Sequence, residues 1–478
     1  VHIDSTHAFL DASGVFMFSP TFRNQALVVN LDVPNQWQSR SGMDQTAHHS
    51  FSAKNYDQLV DSPIETGIHE FTTWTVEDKT YEIVIWGEGN HDINDLKDQI
   101  TLLHFEAKKI WQTFPFERYV YMYHAGDKIG GATEHVNSTI IQQNRFNFKP
   151  RKSYLKVLAT TAHEFVHTWN VKAYRPAGIA PYDYSKENYS DLFWMAEGIT
   201  SYYDDLILMR AGIYKPDEYF AKMAESIQKH LDNPGRKVES LAQTSFDTWL
   251  KDDPQQRHNA SVSIYLEGSL IAWRLDQEIR LLTNNKYGLD QLQNLLYQRH
   301  HNTNQGYHKQ HVMDLLREIT GHDMSTFWQT YIEGTEAIDF DLLLDFYGLK
   351  KSVKEPTDES SHNAWIGIDL NTVKDLASIK TVDSDSPAWL AGLTMGDELL
   401  SINGLKLTPD NINDRISQLT VGESYEVHYF NAGRLMSTTL TPVKQPHPEF
   451  KIEAIKKPNR KQKARFKAWS GQSLVKSN

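Results

Sequence analysis

The feature that most constrains this chain is the stretch LATTAHEFVHTWNVKAYRP, residues 158–176. His163 and His167 lie four positions apart in an apolar run, and Glu164 directly follows the first histidine. On a helix, side chains at i and i+4 share one face with Cβ atoms ~5–6 Å apart, so both imidazoles can turn toward one ion. Glu164 then lies beside the ion but not on it. This is the H-E-x-x-H arrangement of two metal ligands and a general base.

The motif alone does not decide between a metal site and two helical histidines that pair with backbone groups. Apolar residues flank it on both sides and predict a low dielectric around the histidines: Leu155, Val157, Leu158, Phe165 and Trp169. We expect the helix to continue until Pro176 stops it.

A third ligand is expected because a catalytic zinc takes three protein ligands and keeps one position open. The sequence has 0 cysteines, so the ligands must be imidazoles and carboxylates. Glu197 lies in the apolar helical run LFWMAEGITSYYDDL, where a buried carboxylate is costly unless it is paired or metal-bound. A buried salt bridge is the alternative. We predict one Zn²⁺ per chain, bound by His163, His167 and Glu197, with Glu164 as the general base.

The wider sequence resembles a known family. HEFVHTWN followed by WMAEGITSYY is similar to the gluzincin metallopeptidases, and NYDQLVDSPIETG, WQTFPFERYVYMYH and HEFVHTWNVKAYRP with its PYDY sequel resemble the glycyl aminopeptidase family, whose members carry a PDZ domain. The likeness covers nearly the whole chain. It implies a thermolysin-like, mainly α-helical zinc peptidase domain that releases small N-terminal residues such as Gly or Ala. Family members usually carry a longer N-terminal β domain, and the start VHIDSTHAFL lacks an initiator Met and a signal peptide pattern, so we expect a truncated or processed N-terminus.

The segment Gly131-Ala132-Thr133-Glu134-His135 resembles the G-x-x-E-N/H exopeptidase segment of these enzymes. An aminopeptidase must recognise a free α-ammonium, and Glu134 supplies a carboxylate for that purpose. Gly131 permits close approach of a substrate backbone, and Ala132 and His135 are expected beside it. The alternative is a Gly-Gly turn that ends in an exposed glutamate.

A tyrosine completes the set that the resemblance implies. Tyr265-Leu266-Glu267-Gly268 is similar to a Y-x-K-G segment whose tyrosine hydroxyl stabilises the oxyanion, with Glu267 where lysine is common. The alternative for Tyr265 is a helical core tyrosine.

Pattern and composition divide the chain into five parts and predict an α+β multidomain fold. Short β-like runs predict a β-rich N-terminal region, and the apolar stripe Leu96, Ile100, Leu103, Ala107 and Ile110 marks the change to helical periodicity. A charged, Ser-rich segment with one proline reads as a linker, and the last part is a basic run interpreted as a solvated tail. The predicted parts are the N-terminal region 1–90, a gluzincin catalytic domain 91–350, the linker 351–363, a PDZ β-domain 364–443 and the tail 444–478.

The C-terminal domain is predicted from SDSPAWLAGLTMGDELLSINGLKL, residues 384–407, which resembles the bacterial PDZ signature. PDZ domains bind extended peptides by strand addition. Upstream, Trp365, Ile366, Gly367 and Ile368 fit the loop and edge strand that hold a peptide C-terminus. The alternative is a domain that only packs against the catalytic unit, with its groove unused.

The composition limits the classes of binding partner that the chain can have. The net charge of −12 and the pI near 6.0 argue against nucleic acid, and no apolar run approaches the ~20 residues of a transmembrane helix. We expect a soluble protein, cytoplasmic or periplasmic, with the compartment unknown. Other histidines show no ligand-like spacing to the zinc set and are interpreted as surface or core residues: His48, His49, His124, His300 and His301.

Three functions remain at this stage. The first is a zinc aminopeptidase acting on peptides with a free N-terminus. The alternatives are a zinc endopeptidase and a catalytically inert scaffold that binds peptides through its PDZ domain.

Overall fold

The structure is a computed structural model that describes residues 1–250, 254–301, 303, 305–353, 364–373 and 376–474. Most of the predicted linker, residues 354–363, lies outside the described residues, and so do the last four residues of the predicted tail. The chain divides into two compact units. The first holds Val1–Pro216, Leu275–Asp323 and Ala464–Ser473, and the second is built mainly of Asp217–Arg274 and Met324–Lys463.

The N-terminal region consists of short strands and two short helices. They are β1 (His2–Ile3), β2 (His7–Leu10), α1 (Ala12–Val15), β3 (Leu27–Asn30), β4 (Gln38–Ser41), β5 (Asp44–Ala47), β6 (Ser50–Ala53), α2 (Tyr56–Val60) and β7 (Ile64–Gly67). All pairings are antiparallel, in one sheet of order β1-β2-β7-β4 and another of order β3-β6-β5. Met43, Phe51 and Ile64 lie at the centre of a small core between these elements.

A five-stranded sheet follows. Its elements are β8 (Glu70–Val76), β9 (Lys79–Trp86), α3 (Ile93–Trp111), β10 (Arg118–Gly126), β11 (Gly131–Glu134) and β12 (Ser138–Asn144). The strand order is β11-β12-β10-β9-β8, so β11 lies at an edge. The central strand β10 runs parallel to both neighbours, and its middle residues are fully buried. The sheet crosses the boundary predicted at residue 90, because β8 and β9 precede that position.

Helix α3 forms as its periodicity predicts. The Asp92 side chain accepts hydrogen bonds from the backbone of Asn94 and Asp95, which satisfies free donors of the first turn. The helix ends where Gln112 adopts a left-handed φ of 67°. Every residue of the predicted apolar stripe is buried.

The chain is then mainly helical. The helices are α4 (Arg151–Val166), α5 (Phe193–Arg210), α6 (Pro216–Leu231), α7 (Leu241–Phe246), α8 (Pro254–Ala260), α9 (Leu266–Leu282), α10 (Leu289–His300), α11 (Lys309–Thr320), α12 (Ser325–Tyr331) and α13 (Phe340–Phe346). Short 3₁₀ helices lie at Pro20–Phe22, Pro234–Lys237 and Asp247–Leu250. Helix α5 is buried along most of its length, as expected of a helix that is apolar on several faces.

The C-terminal part is again rich in strands. Its elements are β13 (Leu349–Val353), β14 (Ala364–Trp365), β15 (Ile368–Val373), β16 (Leu376–Val382), α14 (Pro387–Leu390), β17 (Glu398–Ile402), β18 (Leu405–Lys406), α15 (Ile412–Ser417), β19 (Tyr425–Asn431), β20 (Arg434–Leu440), β21 (Val443–Lys444), β22 (Phe450–Ala454) and α16 (Arg460–Ser470). The main sheet has the order β15-β16-β17-β19-β20, with β18 paired to β17. Ile379, Leu399 and Val427 lie in its separate core.

The basic C-terminal stretch is not a solvated tail. Within it, β22 pairs with β13, and α16 buries Phe466 and Trp469. The Trp469 indole donates a hydrogen bond of 3.0 Å to the Tyr202 hydroxyl. Lysines and arginines cover the exposed side of α16, which is why the run appeared uniformly polar in sequence.

The predicted fold class is confirmed: the chain is a mixed α and β multidomain protein with a β-rich N-terminal region and a C-terminal PDZ domain. No helix among the described residues is long and apolar enough to cross a membrane.

Candidate metal centre and substrate site

Helices α4 and α5 bring three ligand-type side chains together. His163 and His167 come from the C-terminal end of α4, and Glu197 comes from the first turns of α5. The two histidine Nε2 atoms are 3.1 Å apart, and Glu197 Oε2 lies 3.5 Å from that of His163 and 3.3 Å from that of His167. Separations of about 3.3 Å are what tetrahedral ligands at ~2.0–2.1 Å from one ion require. The donor set therefore fits a single small divalent cation.

A turn after α4 fixes the orientation of His167. The helix predicted to run on toward Pro176 ends earlier, at Val166, and a series of turns follows. This turn brings the Asn170 carbonyl back to His167, whose Nδ1–H donates to it at 2.8 Å. The proton is therefore held on Nδ1, which leaves the Nε2 lone pair facing Glu197.

The other histidine is oriented from α5. His163 Nδ1 lies 3.2 Å from Asp204 Oδ2, in the carboxylate–histidine arrangement that raises the basicity of a metal ligand. Asp204 follows Glu197 by seven positions, so both carboxylates lie on one face of α5.

Asn170 joins the two ligand-bearing helices. Its side-chain amide is buried and donates to the carbonyl of Met195 at 2.7 Å and to that of Ala196 at 3.2 Å. These carbonyls immediately precede Glu197. One residue therefore orients His167 through its backbone and the start of α5 through its side chain.

Glu197 is ionised in this setting. Burial favours the neutral acid and would raise the pKa of Glu197, but the charges and hydrogen bonds of His167 and His163 outweigh burial and hold the pKa well below its usual range.

Glu164 lies next to this set without joining it. Its side chain is buried, and its Oε2 atom has no hydrogen-bond partner among the residues that the structure describes. Burial raises the pKa of Glu164 to about 7, although the neighbouring histidines oppose the shift. A carboxyl group whose pKa lies near 7 and whose Oε2 atom has no hydrogen-bond partner among the described residues is suited to accept and return a proton.

Glu134 approaches the same place from the central sheet. It is the last residue of the edge strand β11, and its carboxylate lies within 4.8 Å of donor atoms of both Glu164 and His167. The ammonium of Lys172 lies 3.8 Å from Glu134 Oε1. The structure thus brings together the predicted amine-binding carboxylate, the predicted base and one predicted ligand.

The other residues predicted for substrate binding flank Glu134. Gly131 and Ala132 lie on β11. Apart from its neighbours in the chain, no described residue has an atom within 4 Å of the position that a Cβ would take at Gly131, whose φ is +115°. His135 is buried, and its Nδ1 lies 3.4 Å from Asp61 Oδ1.

Asp61 and Lys172 form an ion pair behind Glu134. Lys172 Nζ donates to Asp61 Oδ1 at 2.7 Å, and the Val136 backbone donates to Asp61 Oδ2 at 2.7 Å. Burial opposes the charge on Lys172, but Asp61 outweighs burial, so the pKa of Lys172 lies above its ordinary value. Lys172 is therefore a permanent cation beside Glu134.

Tyr265 lies directly before α9 in the second unit, and the residue is 48% exposed. It is therefore not a buried core tyrosine.

The predicted PDZ groove residues surround an edge strand. Trp365 ends β14, Ile368 begins β15, and β15 is the edge strand of its sheet. Ile366 is buried in the domain core. Gly367 has a φ of +77°, and a Cβ there would lie 2.2 Å from the Cβ of Ser386, so only glycine fits.

Sequence reasoning did not find four residues of this site: Asp61, Asn170, Lys172 and Asp204. Asn170 and Lys172 lie within the stretch that was singled out, and Asp204 shares a helix face with Glu197, so helical spacing contained a signal for it. Asp61 had no such signal, because it lies 111 positions from Lys172.

Three family models match parts of the chain. The family model of the M61 glycyl aminopeptidase matches residues 156–271, which include the whole donor set and Tyr265. The model of the M61 N-terminal domain matches residues 1–68, and a PDZ domain model matches residues 378–420. The match to the glycyl aminopeptidase model supports a metallopeptidase. More particularly, the resemblance to the glycyl aminopeptidases that carry a PDZ domain is confirmed.

One solved structure shows the same fold. The aminopeptidase N family protein from Idiomarina loihiensis superimposes with a TM-score of 0.89 at 22% identity, covering 98% of this chain and 83% of that one. An M1 zinc metallopeptidase from Deinococcus radiodurans matches with a TM-score of 0.45 at 12% identity, covering 66% of this chain and 64% of its own. No curated protein matches the sequence significantly.

Proposed function

We propose that this chain is a zinc aminopeptidase that releases a small N-terminal residue, such as Gly or Ala, from peptides. The observation that carries the proposal is the position of Glu134, whose carboxylate lies within 4.8 Å of donor atoms of Glu164 and His167. A fixed negative charge so close to the catalytic groups suits a substrate whose α-ammonium lies one residue from the cleaved bond. The preference for small residues comes from the family resemblance.

His163, His167 and Glu197 would hold one zinc ion. Two imidazoles and one carboxylate are a donor set typical of catalytic zinc. When bound, zinc lowers the pKa of a coordinated water from 15.7 to about 7 and polarises the scissile carbonyl. Asn170 and Asp204, which contact the Nδ1 atoms of His167 and His163, would leave the two Nε2 atoms available to the ion.

Glu164 is the proposed general base. Its unpartnered Oε2 is free to accept a proton from the attacking water, and the resulting carboxylic acid can return that proton to the departing amine. Burial supports this role, because a carboxylate in water would hold the proton too weakly for the second transfer.

The edge strand β11 is the proposed substrate guide. It pairs only with β12 among the described strands, so its outer edge is free to hydrogen-bond an extended peptide. Glu134 stands at the end of this strand and would bind the ammonium, while Gly131 leaves room for the substrate backbone. Lys172 holds one side of the Glu134 carboxylate and leaves the other side for the substrate.

Two further assignments follow from the family resemblance. Tyr265 would donate its hydroxyl to the oxyanion, a contribution of typically ~3–4 kcal/mol per donor. The groove at Trp365, Ile366, Gly367 and Ile368 would bind the C-terminus of a peptide.

The test is metal analysis combined with hydrolysis of glycyl and alanyl chromogenic amides by the wild type and by Glu164→Gln. We expect one zinc at the catalytic site in both proteins, and a rate reduced ~10²–10⁴-fold in the variant, the usual contribution of general base catalysis. Zinc binding without cleavage in either protein would favour the inert scaffold. Equal cleavage of free and N-acetylated peptides would favour the endopeptidase.

A further inference from the structure

A second group of ligand-type side chains lies at strands β1 and β2 of the sheet β1-β2-β7-β4, within the first unit. His2, Asp4 and His7 each offer a donor atom, and these atoms lie within 4.8 Å of one another. His2 Nε2 is 3.1 Å from Asp4 Oδ2, and the rings of His2 and His7 are 5.0 Å apart. His2 and Asp4 are exposed and His7 is buried, so the group opens to solvent on one side only.

His7 is held as a metal-binding histidine usually is. Its Nδ1 lies 2.9 Å from Glu65 Oε1. The side chain of His7 is 0% exposed and that of Glu65 is 1% exposed. A histidine that donates from Nδ1 to a carboxylate presents a lone pair on Nε2. The Nε2 atom of His7 is buried and has no hydrogen-bond partner anywhere in the described part of the chain. An unsatisfied buried nitrogen is costly, and a cation would satisfy it.

Asp4 is fixed in place before any ligand arrives. Its Oδ1 accepts hydrogen bonds from the Thr6 backbone at 2.6 Å, from the Thr6 hydroxyl at 2.7 Å and from the His7 backbone at 3.0 Å. Oδ2 is left for His2. The bonds from Thr6 hold the pKa of Asp4 well below its usual range, so its carboxylate is charged at neutral pH.

A rigid support lies beneath this group. Glu65 Oε2 is 2.8 Å from His124 Nε2, and both side chains are buried. The indole of Trp86 stacks on His7 with ring centroids 3.7 Å apart, and its Nε1–H donates to the Thr6 hydroxyl at 3.1 Å. His124 and Trp86 belong to β10 and β9, so the central sheet fixes the position of the His7 ring.

We propose that His2, Asp4 and His7 form a second divalent-metal site, with Glu65 as the carboxylate that orients His7. Two imidazoles and one carboxylate favour Zn²⁺, Ni²⁺ or Cu²⁺ over Mg²⁺ and Ca²⁺, which prefer all-oxygen sites. The proposed role of the site is structural. A bound ion would link His2 on β1 and Asp4 in the turn before β2 to His7, whose ring is held against the central sheet.

The experiment counts metal in the full-length protein. Protein stripped of metal is dialysed against Zn²⁺, and the bound metal is measured for the wild type, His2→Asn with Asp4→Asn, and His163→Ala with His167→Ala. We expect two equivalents in the wild type and one in each double variant. A matched control, His48→Asn with Asp44→Asn, removes another exposed histidine and aspartate and should keep both equivalents.

A second measurement isolates the new site. In the His163→Ala, His167→Ala protein, Co²⁺ titration followed by visible absorption reports only the remaining site. Adding Glu65→Gln should weaken Co²⁺ affinity ~10–100-fold, the usual effect of losing a partner of a metal-bound histidine. Added Zn²⁺ should raise the melting temperature of this protein, and should not do so once His2 and Asp4 are also replaced.

The outcomes separate the two sites. One equivalent in the wild type that is lost on replacing His163 and His167, and unaffected by replacing His2 and Asp4, overturns the second site and leaves the catalytic one intact. One equivalent that depends only on His2 and Asp4 supports the second site and refutes the catalytic one. Two equivalents that persist after replacing His2 and Asp4 also overturn the proposal.

Discussion

Replacing Glu134 by glutamine tests the proposed amine anchor most directly. The change keeps the size and hydrogen-bonding capacity of the side chain and removes only its charge. If Glu134 binds the substrate ammonium, hydrolysis of substrates with a free N-terminus must fall, while folding and metal content stay unchanged.

The magnitude follows from the geometry. Opposite unit charges ~4 Å apart attract by ~4 kcal/mol at an effective dielectric of ~20. The Glu134 side chain is 25% exposed, and we reduce this to ~2–3 kcal/mol for screening by solvent. At ~1.4 kcal/mol per factor of ten, kcat/KM should fall about 30- to 150-fold. Lys172, 3.8 Å from Glu134, would then repel the substrate ammonium, so this range is a lower bound.

The assay compares kcat/KM for glycyl and alanyl amides with that for the same substrates after N-acetylation. The matched control is Glu117→Gln, which removes a negative charge from an 86% exposed side chain that pairs with Lys79. We expect a loss with Glu134→Gln on free amines only, and no change with Glu117→Gln. An equal loss on free and acetylated substrates would refute the anchor, and so would a loss smaller than fivefold on free amines.

Three further predictions concern the surroundings of the site. Asp204→Asn should weaken zinc binding ~10–100-fold, because His163 loses its charged partner; an unchanged affinity in competition with a chelator would contradict this. Asn170→Ala should destabilise the start of α5 by ~1–3 kcal/mol, because the Met195 and Ala196 carbonyls lose a buried donor; faster amide hydrogen exchange in α5 is the measurement, and unaltered exchange speaks against it. Gly367→Val should unfold or distort the PDZ domain, because its φ of +77° and the Ser386 side chain both exclude a Cβ; limited proteolysis within 364–443 should increase, and a protease-resistant variant would show that the loop tolerates the side chain.

Local sequence patterns were sufficient to predict those features that residues close together in the chain determine. The stripe of α3 and the spacing of His163 and His167 both follow from helical periodicity, and the structure shows them as predicted. Glu197 was found by a different argument, the cost of burying a carboxylate. That argument needs no knowledge of the partner, so it could single out Glu197 across 29 intervening residues, and Glu197 Oε2 lies 3.3 Å from His167 Nε2.

The rest of the site depends on contacts that sequence spacing does not encode. Asp61 reaches Lys172 because the end of α2 and the turn after α4 are packed into one unit, and nothing in either segment identifies the other. The prediction of a solvated C-terminal tail was wrong for a related reason. Its composition is dominated by lysine and arginine, so the two aromatic residues on its inner face, Phe466 and Trp469, carried too little weight in a charge-based interpretation.

Charge balance around the metal centre bears on the choice between an aminopeptidase and an endopeptidase. Five carboxyl groups face or orient the site: Asp61, Glu134, Glu164, Glu197 and Asp204. Lys172 and one divalent cation supply three positive charges, and the histidines bind a metal in their neutral form. With Glu164 ionised as the proposed base, two negative charges remain: one on Glu164 and one on Glu134, where the carboxylate is only partly offset by Lys172. A substrate ammonium would neutralise the charge on Glu134, whereas the amide of an internal peptide segment would leave it uncompensated. If Glu134 has its proposed role, this charge balance favours substrates that bring their own positive charge.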